Sequence, residues 1–152
     1  MLVPGVGRTD ATFTDSEFAA STVTAAVVPA PVIDSCTATS ALVSLSLTPR
    51  VVLTWHYPTT GYDETDARYL NSDSGTAGWV SVSPGNGAST SGPVNGTFTT
   101  TFQGRLLDGL LGGSGDVGIA AAHSSGWRSL ISSAHATFPL MVGTGTCTIS
   151  NA

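Results

Sequence analysis

The sequence contains no lysine: its five cations are Arg8, Arg50, Arg68, Arg105 and Arg128. A lysine Schiff base, a phosphate-loop lysine and a lysine isopeptide cross-link are therefore all excluded. Charge of either sign is scarce, at 10% of 152 residues, and the net charge is −5. No basic stripe exists to neutralise a nucleic-acid backbone or to hold an anionic membrane surface, so neither is expected as a partner. No run of 18 apolar residues is present, so no membrane-spanning helix is expected. The three histidines, His56, His123 and His135, fit no zinc spacing, and no G-x-S-x-G nucleophile elbow occurs. Nothing selects a catalytic set, a metal site or a cofactor.

Cysteine is nearly absent as well. Cys36 and Cys147 form no C-x-x-C and have no adjacent histidine pair, so the expected pairing is a structural disulfide across most of the chain. That pairing places the protein outside a reducing cytosol. What fills the sequence instead is Ser, Thr, Gly and 41% hydrophobic residues, enough for one core of ordinary size.

The chain divides into three parts. Residues 1–11 read as the remnant of a signal peptide or a tail, with a small-x-small pattern ending at Ala11. Residues 12–33 form a lead segment, rich in β-branched residues from Ser21 to Val28 and stopped by Pro29 and Pro31. Residues 34–152 carry repeated short alternations of apolar and polar residues. Leu42 to Leu47 reads as one strand with Val43, Leu45 and Leu47 inward. Val51, Leu53, Trp55 and Tyr57 share a face of the strongest strand, Arg50 to Tyr57, after Pro49 punctuates the chain. Further strands are expected at 67–72, 79–82 and 97–103, the last with Phe98, Thr100 and Phe102 on one side, and within 116–123 and 127–140. Residues 83–96 read as a Gly/Ser/Pro loop, and Leu106 to Gly113 as a corner plugged by leucines. This is an all-β chain, an antiparallel β-sandwich of immunoglobulin or fibronectin type III kind, preceded by an extended N-terminal strand. Trp55 and one of Trp79 and Trp127 are expected in its core.

Two resemblances sharpen the reading. Val51 to Pro58, Arg68, Tyr69, Trp79, Leu107 or Leu110, Val117 to Ala121 and Gly126 to Phe138 resemble a fibronectin type III domain in spacing, which implies a fold and little about function. Ala11 to Ala26 resembles the mature start of proteins processed by SipW-type signal peptidases, among them the camelysin/TasA matrix-fibre subunits. The matching residues are Phe13, Asp15, Ser16 and Glu17, and more loosely Val23 to Ala26. That likeness implies secretion and assembly, and it ends near residue 30.

The lead segment suits strand addition to a neighbour's sheet edge, with Thr12, Phe13, Thr14, Phe18, Val23, Ala25 and Val27 as the assembling residues. A head-to-tail contact of that kind that does not close yields a filament. The expected function is a non-catalytic, extracellular structural subunit of a fibre, pilus or matrix whose partner is itself. The alternative is an adhesion or carbohydrate-binding module. Its ligand surface would be Tyr62, placed in a turn, with Asp63 and Asp66 of the acidic cluster Asp63, Glu64, Asp66. That cluster has no EF-hand spacing and reads as a solvated turn rather than a calcium site.

Overall fold

A computed structural model describes residues 27–43, 46–73, 78–103, 107 and 110–152. Among these residues ten strands form two antiparallel sheets packed as a sandwich. In chain order they are β1 Val32–Val43, β2 Ser46–His56, β3 Ala67–Asp73, β4 Val80–Val82, β5 Ala88–Val94, β6 Thr97–Gln103, β7 Ser114–Ala121, β8 Ser132–Thr137, β9 Gly143–Thr144 and β10 Cys147–Ser150. One sheet runs β5-β6-β2-β1-β9 and the other β10-β8-β7-β3-β4. The first eight strands thus follow the immunoglobulin-type order, A-B-E-D against G-F-C with one further strand beside C.

Period-two burial explains why these segments pair. Val51, Leu53 and Trp55 of β2, Phe98, Thr100 and Phe102 of β6, and Val117 and Ile119 of β7 point into the space between the sheets and are almost fully buried. Trp55 stacks on Phe98 at 4.6 Å and meets Tyr57 edge-on at 5.2 Å. Its indole N–H donates to Thr100 Oγ1 at 2.8 Å. Thr100 is bonded to Thr90 Oγ1 at 2.8 Å, and Thr90 donates to Tyr69 Oη at 2.7 Å. The chain of hydroxyls crosses from β6 and β5 to β3 of the other sheet and satisfies the polar groups that the aromatic core brings inside.

Several expectations from sequence need correction. Residues 42–47 are not one strand: Leu42 pairs with Leu47 and Val43 with Ser46, so the chain reverses there as the β1–β2 hairpin, and Leu42 is exposed. Pro49 does not punctuate but lies buried inside β2, just beyond the last β6 pairing at Arg50 and Gln103, and among the described residues no strand pairs with it on that side. The supposed loop 83–96 contains β5, because Ala88 and Thr90 turn inward against β6. The supposed strand 127–140 narrows to β8. The boundary drawn at residue 33 falls inside β1, where Ile33 belongs to the core.

Neither Trp79 nor Trp127 enters the core. Trp79 lies over the outer face of β7, where a Cβ on Gly118 would stand 3.1 Å from its ring and 2.7 Å from Ile131. The absent side chain lets both residues close over the sheet.

The last strands were not expected. β9 pairs with β1 in one sheet, and within a few residues β10 pairs with β8 in the other. The chain makes this switch through Gly145, whose N–H donates to the Ala38 carbonyl at 2.8 Å. A Cβ at Gly145 would overlap the Thr137 carbonyl, so only glycine fits. Gly145→Ala is expected to destabilise by about 1–3 kcal/mol, the cost of overpacking a tight site. Urea unfolding monitored by tryptophan fluorescence checks this, and an unchanged midpoint would contradict the close approach.

The switch seals one lateral side of the sandwich. Cys36 of β1 and Cys147 of β10 form a disulfide between the sheets, with Cα atoms 5.8 Å apart. Asn151 then lies against β1, its carboxamide accepting from the Ile33 N–H at 2.8 Å and donating to the Ile33 carbonyl at 3.1 Å, as a neighbouring strand would. The opposite side, β4 and β5, has no strand beyond it among the described residues.

Candidate binding surface at the loop end

Antiparallel register places the β2–β3, β5–β6 and β7–β8 connections at one end of the sandwich, with the entering segment 27–31. Loops on a rigid scaffold are where binding side chains concentrate.

The β2–β3 connection starts with Tyr57, packed on the core, and continues to Tyr62, whose ring lies 5.2 Å from that of Tyr57. Tyr62 is therefore half-buried rather than the freely exposed ring its place in a turn suggested. Its other neighbour is His123 from the β7–β8 connection, at 6.5 Å and edge-on. Two loops distant in sequence thus meet through these rings. Burial raises the Tyr57 hydroxyl far above the usual phenol range, and the nearby Asp66 carboxylate adds to the effect. The Tyr57 hydroxyl oxygen is buried and has no hydrogen-bond partner among the described residues.

Asp63 and Asp66 have local duties. A single 3-10 turn, Glu64–Asp66, is capped by Asp63, whose Oδ1 accepts from the Thr65 N–H at 2.8 Å and the Thr65 hydroxyl at 2.6 Å. Asp66 Oδ2 accepts in return from the Asp63 N–H at 2.9 Å. This reciprocal arrangement is a capping box. The Thr65 hydroxyl, then its N–H, hold the Asp63 carboxyl below the usual carboxylate range. The acidic cluster is thus a helix cap, with Asp63 and Asp66 each engaging the other's stretch of backbone.

The β7–β8 connection carries His123 and Trp127. His123 N–H donates to the Trp127 carbonyl at 2.8 Å and Gly126 N–H to the His123 carbonyl at 2.9 Å. His123 Nδ1 lies 2.7 Å from the Ser125 hydroxyl oxygen and 3.2 Å from the Ser125 backbone nitrogen. Gly126 has φ of +90°, a conformation glycine adopts without strain. The turn holds Trp127 outward, 69% exposed. An exposed tryptophan on a hydrogen-bonded loop needs little ordering to engage a partner. The sequence reading had placed Trp127 at the start of a strand and among the core candidates.

The other two histidines each face an aspartate across a strand pair: His56 Nδ1 and Asp34 Oδ2 are 2.9 Å apart on one sheet, His135 Nδ1 and Asp116 Oδ1 2.8 Å apart on the other. Asp34 sits at the irregularity in β1 between Ile33 and Ser35. Among the described residues no group of three or more His, Cys, Asp or Glu stands where it would hold a metal ion, and no helix is long and apolar enough to cross a membrane. Of the lead-segment residues, Thr12, Phe13, Thr14, Phe18, Val23 and Ala25 lie outside the described residues, and Val27 is 87% exposed.

These features define a disulfide-bridged all-β sandwich with an aromatic loop end and, among the described residues, one open lateral side. No family model, no curated protein and no solved structure matches the chain.

Proposed function

We propose that the chain is a non-catalytic, extracellular structural subunit of a fibre, pilus or biofilm matrix, joined to the next copy by strand addition of its N-terminal segment. The observation that carries this reading is the asymmetry between the two lateral sides. The β9–β10 switch, the disulfide and Asn151 occupy one side, while among the described residues β4 and β5 end the sheets on the other, with no lysine to deter pairing. A subunit whose edges lie open on one side among the described residues, and which carries one β-prone segment, polymerises in one direction. The disulfide supports an oxidising, extracellular setting. Trp55 in β2 and Leu107 between β6 and β7, both fully buried, support the fibronectin type III likeness. The likeness to SipW-processed matrix proteins adds secretion to the reading.

Negative-stain electron microscopy of the oxidised full chain, beside a chain starting at Val27, tests it. That start keeps Pro31, whose carbonyl accepts from Ser132 Oγ at 2.6 Å. Filaments are expected from the first and monomers from the second. Monomers from both would sink the fibre reading.

A second reading, an adhesion or carbohydrate-binding module, is favoured by the exposed Trp127 beside the contact of Tyr62 with His123. Planar rings suit the apolar faces of sugars. In that case monomeric protein binds on a glycan array, and Trp127→Ala and Tyr62→Ala each weaken binding.

A further inference from the structure

The end of the sandwich opposite the aromatic loops carries an exposed apolar tip. The β8–β9 connection starts at Phe138, which is buried, and continues to Leu140, Met141 and Val142, which are 74%, 76% and 67% exposed. Three consecutive apolar residues open to water weigh against solubility unless something covers them. β9 pairs Gly143 with Ser40, so the tip lies beside the end of β1, where Leu42 is 60% exposed.

The tip is tied on both flanks. The Gly112 N–H donates to the Phe138 carbonyl at 3.0 Å, the Phe138 N–H to the Gly113 carbonyl at 2.9 Å, and the Ser40 hydroxyl to the Pro139 carbonyl at 3.0 Å. Leu140 rests on the backbone of Gly112, where a Cβ would stand 2.7 Å from its Cγ. A loop held in this way loses little conformational freedom when it docks.

What covers the tip follows from area and charge. Four side chains make a patch on the order of a few hundred Å². That is below the roughly 800 Å² that a stable protein contact takes from each partner. A bilayer needs no such matching surface, because each apolar side chain gains separately by leaving water. It does require that charge stay out. No Asp, Glu, Lys or Arg occurs between Arg128 and Ala152, so none lies in the tip or in β8, β9 or β10.

We infer that Leu140, Met141 and Val142, with Leu42 beside them, dock the sandwich on a zwitterionic lipid surface by shallow insertion. The inference goes beyond the assembly reading and does not depend on it. β1 starts and β10 finishes at the other end, so a docked sandwich stands with Trp127 and the entering segment away from the lipid. The attraction is apolar in origin. Salt therefore leaves it unchanged, and the net charge of −5 weakens it on anionic lipid.

Flotation of the full, oxidised chain with phosphatidylcholine vesicles tests this. The native chain is expected to float equally in low and high salt, and less with vesicles containing phosphatidylserine. Met141→Asp puts a carboxylate on the tip and is expected to lower the partition coefficient at least about tenfold. Its unfolding temperature stays unchanged, because the residue is exposed. Met141→Leu keeps the native partition, and so does Trp127→Asp at the opposite end. A native chain that stays with the buffer, a folded Met141→Asp chain that floats like the native one, or flotation lost in Trp127→Asp would each overturn the site. Self-association lost in Met141→Asp by sedimentation velocity, with no flotation of the native chain, would put a second copy on the tip and overturn the lipid assignment. Filaments from the native chain bear on the assembly reading alone, so the two readings fail separately.

Discussion

Replacing Cys36 and Cys147 together by alanine is expected to cost about 4–5 kcal/mol of folding stability. The two residues are 111 apart in sequence, and in the chain-entropy account a loop of that order frees about that much when opened. For a domain of this size the loss corresponds to a fall in Tm of roughly 10–20 °C. The effect has a second, local source. Both sulfurs pack beside the core at partial burial, and the bridge is the covalent tie between β1 of one sheet and β10 of the other. Calorimetry of the double variant, alongside the native chain with and without reductant, checks the expectation. The reduced native chain should behave like the variant. A loss below about 1 kcal/mol would mean that the crossover holds the sheets together without the bond.

Trp55→Ala is expected to be comparably damaging, by about 3–5 kcal/mol, the usual cost of truncating a buried aromatic. Trp55 is fully buried and touches Phe98 and Tyr57 through its ring and Thr100 through its N–H. The change opens a cavity between the sheets and leaves the Thr100 hydroxyl without its donor. Thr100→Val separates the two contributions. It keeps the volume but strands the Trp55 N–H, for an expected loss of about 1–3 kcal/mol. Denaturant unfolding by circular dichroism measures both. Equal losses would show that the hydroxyl chain, rather than packing, dominates the centre of the sandwich.

The parts of the fold legible in the sequence are those where one strand buries one face. β2, β3, β6 and β7 announce themselves through alternation, and the residues expected inward at 51, 53, 55, 98, 100 and 102 are inward. Alternation fails where it carries no sign of direction. A period of two continues unbroken through a tight hairpin, so Leu42 to Leu47 looks like a strand although the chain reverses within it. It also fails where small polar residues do the packing: Ala88 and Thr90 of β5 lie among glycine, serine and proline, and only tertiary contact with β6 makes them a strand. β9 and β10 are too short to show a period, and their geometry depends on Gly145 meeting a carbonyl far away in sequence. At the loop end, Tyr62, Asp63 and Asp66 were identifiable as residues. The contact of Tyr62 with His123, the capping role of the two aspartates and the outward Trp127 arise from loop conformation, which composition does not encode.

The sealed side also has a mechanical meaning. The polypeptide enters and leaves at the same end of the sandwich, and Cys36 and Cys147 join the two runs a few residues inside each. Tension applied between the two termini is therefore carried across the disulfide and never reaches the strands between them. Only the chain before Cys36 and after Cys147 can lengthen under load. The sandwich behaves as a shielded loop hanging from a covalent junction, so in the oxidised state pulling peels β10 and the start of β1 but cannot extend the body of the fold.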